Sequence, residues 1–137
     1  MGWEHFRHGA DVGVRGVGAT RGEAFEQIAL ALTAVVTEPA QIRGDARVDI
    51  HCEAPDDDLL IVDWLNALIL EMSTRRMVFG RFDVATNAHA IDAVAWGEPL
   101  DRIRHQPSVE VKSATYTELM MRQRDDGTWI AQCVVDV

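Results

Sequence analysis

The chain has 137 residues, 47% of them hydrophobic, with 13 Lys and Arg against 22 Asp and Glu and a formal net charge of −9. That length suits one globular domain, residues 1–137, and the negative charge repels phosphate backbones, so direct, stable binding to nucleic acid is not expected. The longest apolar runs, such as Ile28 to Val36, fall short of the ~18–20 residues of a membrane span, and Met1 to Phe6 lacks the basic start and apolar core of a secretion signal, which makes a cytoplasmic protein the expectation.

The first strand-like segment contains His8-Gly9-Ala10-Asp11-Val12-Gly13-Val14, where Asp11 stands among apolar residues. The glycines at 13, 16, 18 and 22 do not spell a phosphate-binding loop. Arg21 occupies the place of the third glycine, no Gly-Lys-Ser/Thr follows, and the stretch reads as a flexible turn. Thr20-Arg21-Gly22-Glu23 has the form of a capping box. Phe25, Ile28, Ala29, Leu32, Val35 and Val36 follow at three- and four-residue spacing, predicting an amphipathic helix that ends near Glu38-Pro39.

Arg47 to Glu53 alternates, with Val48, Ile50 and Cys52 on one face, as a half-buried strand should. Asp56-Asp57-Asp58 opens a second helix carrying Leu60, Ile61, Trp64, Leu65, Leu68, Ile69 and Met72; acidic side chains at a helix start suit the positive end of its dipole and need no further role. From Met77 onward the period is two. Strands are expected around Val78 to Val84, over Ala90 to Trp96, as one long strand from Val109 to Arg122, and from Thr128 to Val137, with Asp125-Asp126-Gly127 as the last hairpin turn. The fold class is α+β: two helices packed on a mixed, largely antiparallel sheet of about six strands. Cys52 and Cys133 form no CxxC pair and read as buried, reduced strand residues.

The final run, Gln132-Cys133-Val134-Val135-Asp136-Val137, sets one carboxylate beside the carboxyl group of the last residue. If it meets the first strand in space, Asp11, Asp136 and Val137 form an oxygen-only site for a hard divalent cation, suited to calcium, magnesium or manganese rather than zinc. The same residues also fit a turn cap and a solvated end. His5 and His8, three apart in an extended segment, fall on opposite faces and make no two-histidine site. His105 reads as a loop histidine that is either a hydrogen-bonding surface group or a ligand, and Lys112 as a solvated strand lysine or a cation for a phosphate or a partner's carboxylate.

These residues resemble one family. His8-Gly9-Ala10-Asp11-Val12, the acidic turn leading to Asp63-Trp64-Leu65-Asn66, Trp96-Gly97-Glu98 with His105, Val111-Lys112-Ser113-Ala114-Thr115-Tyr116 and Val134-Val135-Asp136-Val137 are collinear with the motifs of archeases over nearly the whole chain. The resemblance implies a protein that is not itself an enzyme. Archeases activate the GTP-dependent RNA ligase that joins 2′,3′-cyclic phosphate ends to 5′-hydroxyl ends in tRNA splicing and RNA repair, promoting ligase guanylylation and multiple turnover. It further implies a divalent metal ion, calcium first, held by Asp11 and Asp136 with Val137. Lys112, Glu98, His105 and His8 are placed among the partner and activation residues. Gly9 departs from the family's usual Thr, and its backbone freedom is expected to loosen the loop and lower metal affinity. The rival readings are a stand-alone metal-dependent hydrolase with His105 as base, and a general chaperone or adaptor.

Overall fold

The computed structural model describes residues 1–137. Strand β1 (Gly2–His8) turns into β2 (Asp11–Gly18), followed by helix α1 (Arg21–Val36), β3 (Ala46–Glu53), α2 (Asp57–Arg75), β4 (Met77–Asn87) and β5 (Ala90–Pro99). A short helix α3 (Arg102–His105) precedes β6 (Ser113–Ala114), β7 (Met120–Gln123) and β8 (Trp129–Asp136). The fold is α+β, but the strands form two sheets rather than one mixed sheet, and every pairing is antiparallel. One sheet runs β1-β2-β8, with β6 and β7 both on the far side of β8; the other runs β3-β5-β4.

Eight strands replace the expected six or so for two local reasons. The first strand-like segment is a hairpin, because Gly9 takes φ +59 between the paired His8 and Asp11. The long strand expected from Val109 to Arg122 is broken by Glu118 at φ 54, leaving two short pieces that share β8 as partner. Alternation of apolar residues continues across such a break, so periodicity alone does not reveal it.

Both long helices start where their caps predict. Thr20 accepts a hydrogen bond from the Glu23 amide at 3.1 Å, and Asp56 accepts one from the Leu59 amide at 2.9 Å. Helix α1 also completes the open edge of β4: Thr33 donates to the Phe79 carbonyl at 2.8 Å and Glu26 accepts from the Val84 amide at 2.9 Å. Edge strands left bare invite pairing with other chains, and these bonds close this one. A single hydrophobic cluster of 29 buried residues joins both helices to the inner faces of both sheets. Trp64 lies fully inside it, its indole N–H donating to the Phe25 carbonyl at 3.0 Å. Cys52 and Cys133 are buried and unbridged, and burial pushes each thiol up to about 11, which keeps both unreactive.

The expected flexible turn over the early glycines is not there. Gly13, Gly16 and Gly18 lie within β2, and a Cβ on Gly16 would come within 2.2 Å of the Ile28 amide nitrogen. Gly16 and Gly18 let α1 rest directly on the sheet, which fixes β2 beneath it, whereas Gly13 makes room for the Phe6 ring on the other face. No helix is long and apolar enough to cross a membrane.

Candidate functional site

The two segments singled out at opposite ends of the chain lie side by side. Strands β2 and β8 pair antiparallel with Val12 opposite Val135, so Asp11 faces Asp136 one step further along the ladder. His8 is the partner of Asp11 on β1, and Ser113 the partner of Asp136 on β6. Directly opposed residues of antiparallel strands point to the same face, with Cβ atoms about 4.5–5.5 Å apart. His8, Asp11, Asp136 and Ser113 thus form one row across four strands, on the face turned away from α1.

Both aspartates are half-buried, and no Lys, Arg or His forms an ion pair with either. The Ser113 hydroxyl donates to Asp136 Oδ2 at 3.2 Å. Like charges directly opposed in a ladder disfavour one another, and the chain places no basic side chain between these two. No group of three or more His, Cys, Asp or Glu side chains is placed to hold a metal ion. A cation here would rest on two carboxylates and on neutral oxygens such as Ser113, a donor set that matches hard ions in type.

Lys112 enters the row through its backbone, its amide donating to the Asp136 carbonyl at 2.9 Å while its side chain stays exposed. Asn66 on α2 accepts from the Ala114 amide at 2.9 Å and so pins β6, with Ser113, against the helix. Neither Ser113 nor Asn66 was singled out from sequence, although both stand inside the quoted motifs. A polar side chain in an otherwise apolar strand or helix face was the available signal. Gly9 takes φ +59 in the two-residue hairpin turn, a conformation that glycine adopts without strain.

Glu98 and His105 lie elsewhere, and the reading of His105 as a surface loop group does not hold. The two are 5% and 3% exposed and hydrogen-bonded to each other, His105 Nε2 lying 3.1 Å from Glu98 Oε2. The Asp101 amide donates to His105 Nδ1 at 2.8 Å, which leaves the ring proton on Nε2, pointing at Glu98. Glu98 also accepts from the Arg43 amide at 2.6 Å and from the Arg104 guanidinium. Arg104 beside it, with these further donors, holds the Glu98 carboxyl well below the usual range, at about 2. Thr37 donates to the His105 carbonyl at 2.6 Å, and Arg104 to the Gln41 carbonyl at 2.9 Å. This knot ties the end of β5 and α3 to the turn after α1. Within it Glu98 and His105 are covered, while Arg104 keeps partial access to water.

The Archease protein family (MTH1598/TM1083) matches residues 3–137. The chain belongs to the archease family. Protein archease of Pyrococcus furiosus is 37% identical to it over 139 residues, covering 98% of each chain. Among solved structures, the solution structure of Methanobacterium thermoautotrophicum protein 1598 superposes with a TM-score of 0.76 at 27% identity, over 99% of both chains. The crystal structure of an archease described as a possible chaperone, from Thermotoga maritima, gives a TM-score of 0.60 at 18% identity over 98% of this chain and 99% of that one, a likeness of fold alone. In this member of the family the acidic row lies across β1, β2, β8 and β6, and the Glu98 knot lies at the end of β5 and α3.

Proposed function

We propose that this archease is a protein activator, not itself a ligase, of a GTP-dependent RNA ligase that joins 2′,3′-cyclic phosphate ends to 5′-hydroxyl ends. Asp11 and Asp136 hold a divalent cation, calcium in the first instance and magnesium or manganese as alternatives, with Val137 and Ser113 as neighbouring oxygen donors. The observation that carries this reading is the meeting of Asp11 and Asp136 across β2 and β8 with no counter-charge from the chain. A divalent ion so held supplies charge that polarises phosphoryl oxygens.

The chain's own residues set the conditions around it. Ser113 orients Asp136 through its hydroxyl, Asn66 fixes the strand that carries Ser113, and His8 closes the row at its β1 end. Lys112, exposed and directly preceding Ser113 of the row, offers a partner for phosphate or for a carboxylate of the ligase. Glu98 and His105 contribute by holding the segment that leads from β5 to Lys112, since neither reaches the surface. The net charge of −9 favours encounter with a basic, RNA-binding partner.

The test is multiple-turnover joining of cyclic-phosphate and 5′-hydroxyl RNAs by the cognate ligase with GTP and manganese. Substoichiometric protein is expected to stimulate joining, and Asp136→Ala to remove the stimulation. Equal stimulation by a folded Asp11→Ala/Asp136→Ala variant would sink the cation site. Protection of unrelated unfolded proteins without any effect on the ligase would favour a chaperone instead.

A further inference from the structure

A cleft of about 660 Å³ opens between the C-terminal half of α2, the start of β4 and residues 100–111. Its floor is aliphatic, with Val36, Ile69, Met72 and Val78, and Arg76 and Arg102 stand in its lining. Neither arginine has an ion-pair partner in the chain. Glu110 is the one carboxylate in the same lining, so the two unpaired guanidinium groups leave the cleft locally cationic on a protein of net charge −9.

Arg76 is also costly where it stands. It caps α2 at φ 54, ψ 49, a left-handed position where glycine is the usual residue. Around the cleft, large aliphatic side chains face water: Leu70 is 60% exposed one turn before Ser73 of the lining, Ile103 next to Arg102 is 87% exposed, and Val109 is 42% exposed. A small ligand in the cleft would leave Leu70 and Ile103 bare, whereas a polypeptide would cover them. The lining has no aromatic ring on which a base could stack, which disfavours single-stranded RNA as the occupant. Val111, in the cleft wall, directly precedes Lys112, whose amide bonds to Asp136, so one short segment joins the cleft to the acidic row.

We infer that this cleft docks a segment of the partner ligase in which aliphatic side chains are flanked by carboxylates, the aliphatic groups entering the cleft and the carboxylates meeting Arg76 and Arg102. The inference rests on the ligase being the partner. Docking there brings the ligase up against the acidic row without using the row for affinity, so binding and activation become separable.

The experiment is a titration of the cognate ligase with the full-length protein, read by calorimetry, beside the joining assay. Arg76→Glu/Arg102→Glu is expected to weaken binding by about tenfold or more, as breaking buried charge pairs at interfaces does, and to shift the activation curve by the same factor while stimulation at saturation is retained. Asp136→Ala is expected to bind as the native protein does and fail to stimulate. Arg76→Gly guards against misfolding: glycine suits the left-handed cap, so its melting temperature should not fall although binding weakens. Native-like ligase affinity of the double variant, with the native protein stimulating normally, overturns the cleft and spares the activator reading. Absence of both binding and stimulation by the native protein removes both. Loss of binding to an isolated cyclic-phosphate RNA in the double variant, with ligase affinity untouched, would make the cleft an RNA contact and overturn the inference as well.

Discussion

The acidic row and the Glu98 knot are both built on carboxylates, and they differ in what the chain does with the charge. Glu98 is buried and saturated by Arg104, the Arg43 amide and His105. Asp11 and Asp136 face each other half-exposed, with a single serine hydroxyl donated to one of them. A carboxylate whose donors all come from its own fold is committed to holding that fold. Two opposed carboxylates with no basic partner in the chain carry no such commitment.

The largest expected effect breaks this contrast at the row. Asp136→Ala should reduce ligase stimulation by more than the ~10–100-fold that loss of even an outer partner of a metal site brings. Its unfolding free energy without added metal should stay within about 0.5 kcal/mol of the native value, because a half-exposed repulsion is removed along with the carboxylate. A large loss of stability would mean that the row is structural after all.

Glu98→Ala should do the reverse. Removing the buried carboxylate strands Arg104, the Arg43 amide and His105 Nε2, and breaking such a pair costs about 3 kcal/mol, because Arg104 retains some access to water. Chemical denaturation reads this directly. The acid limb sharpens it further. The Glu98 carboxyl is held at about 2, below its ordinary value of 4.5, so its contribution to stability is present above 4.5 and lost as pH falls toward 2. In Glu98→Gln that part of the acid dependence should vanish.

The sequence makes the row legible and the knot nearly illegible, for different physical reasons. Asp11 and Asp136 stand out because each is a charge inside a β-rich apolar run, and antiparallel pairing of the two runs is all that is needed to join them. The caps at Thr20 and Asp56 are local and equally readable. Glu98, Arg104 and His105 instead look like ordinary polar residues of a loop; only the packing of the 100–106 segment against the turn after α1 buries them. The glycines of β2 mislead in a similar way. Glycine reads as turn from local preference, whereas Gly16 is set by a helix resting on it. Gly16→Ala should therefore destabilise by about 2 kcal/mol through overpacking against the α1 backbone, where a flexible turn would tolerate alanine.

The smallest effect tests the comparison on a third carboxylate setting. On the outer face of the β3-β5-β4 sheet, His51 lies exposed between Asp92 and Glu53, with Nδ1 2.6 Å from one carboxylate and Nε2 2.8 Å from the other. Here the chain supplies its own counter-charge, but only when the ring is protonated. Hydrogen bonds to Glu53 and then Asp92 raise the His51 pKa above its ordinary value of 6.5. Its contribution to stability is therefore full below 6.5 and is lost as pH rises through the folded-state value. An NMR titration should find the ring titrating above 6.5 in low salt and moving back toward it in about 1 M salt, where the Debye length falls to roughly 3 Å. Because water competes for every bond in this trio, His51→Ala should barely move the melting temperature at neutral pH and leave ligase stimulation unchanged. A shift comparable to that of Glu98→Ala would show that the presence of a counter-charge, rather than its burial, decides whether a carboxylate cluster holds the fold.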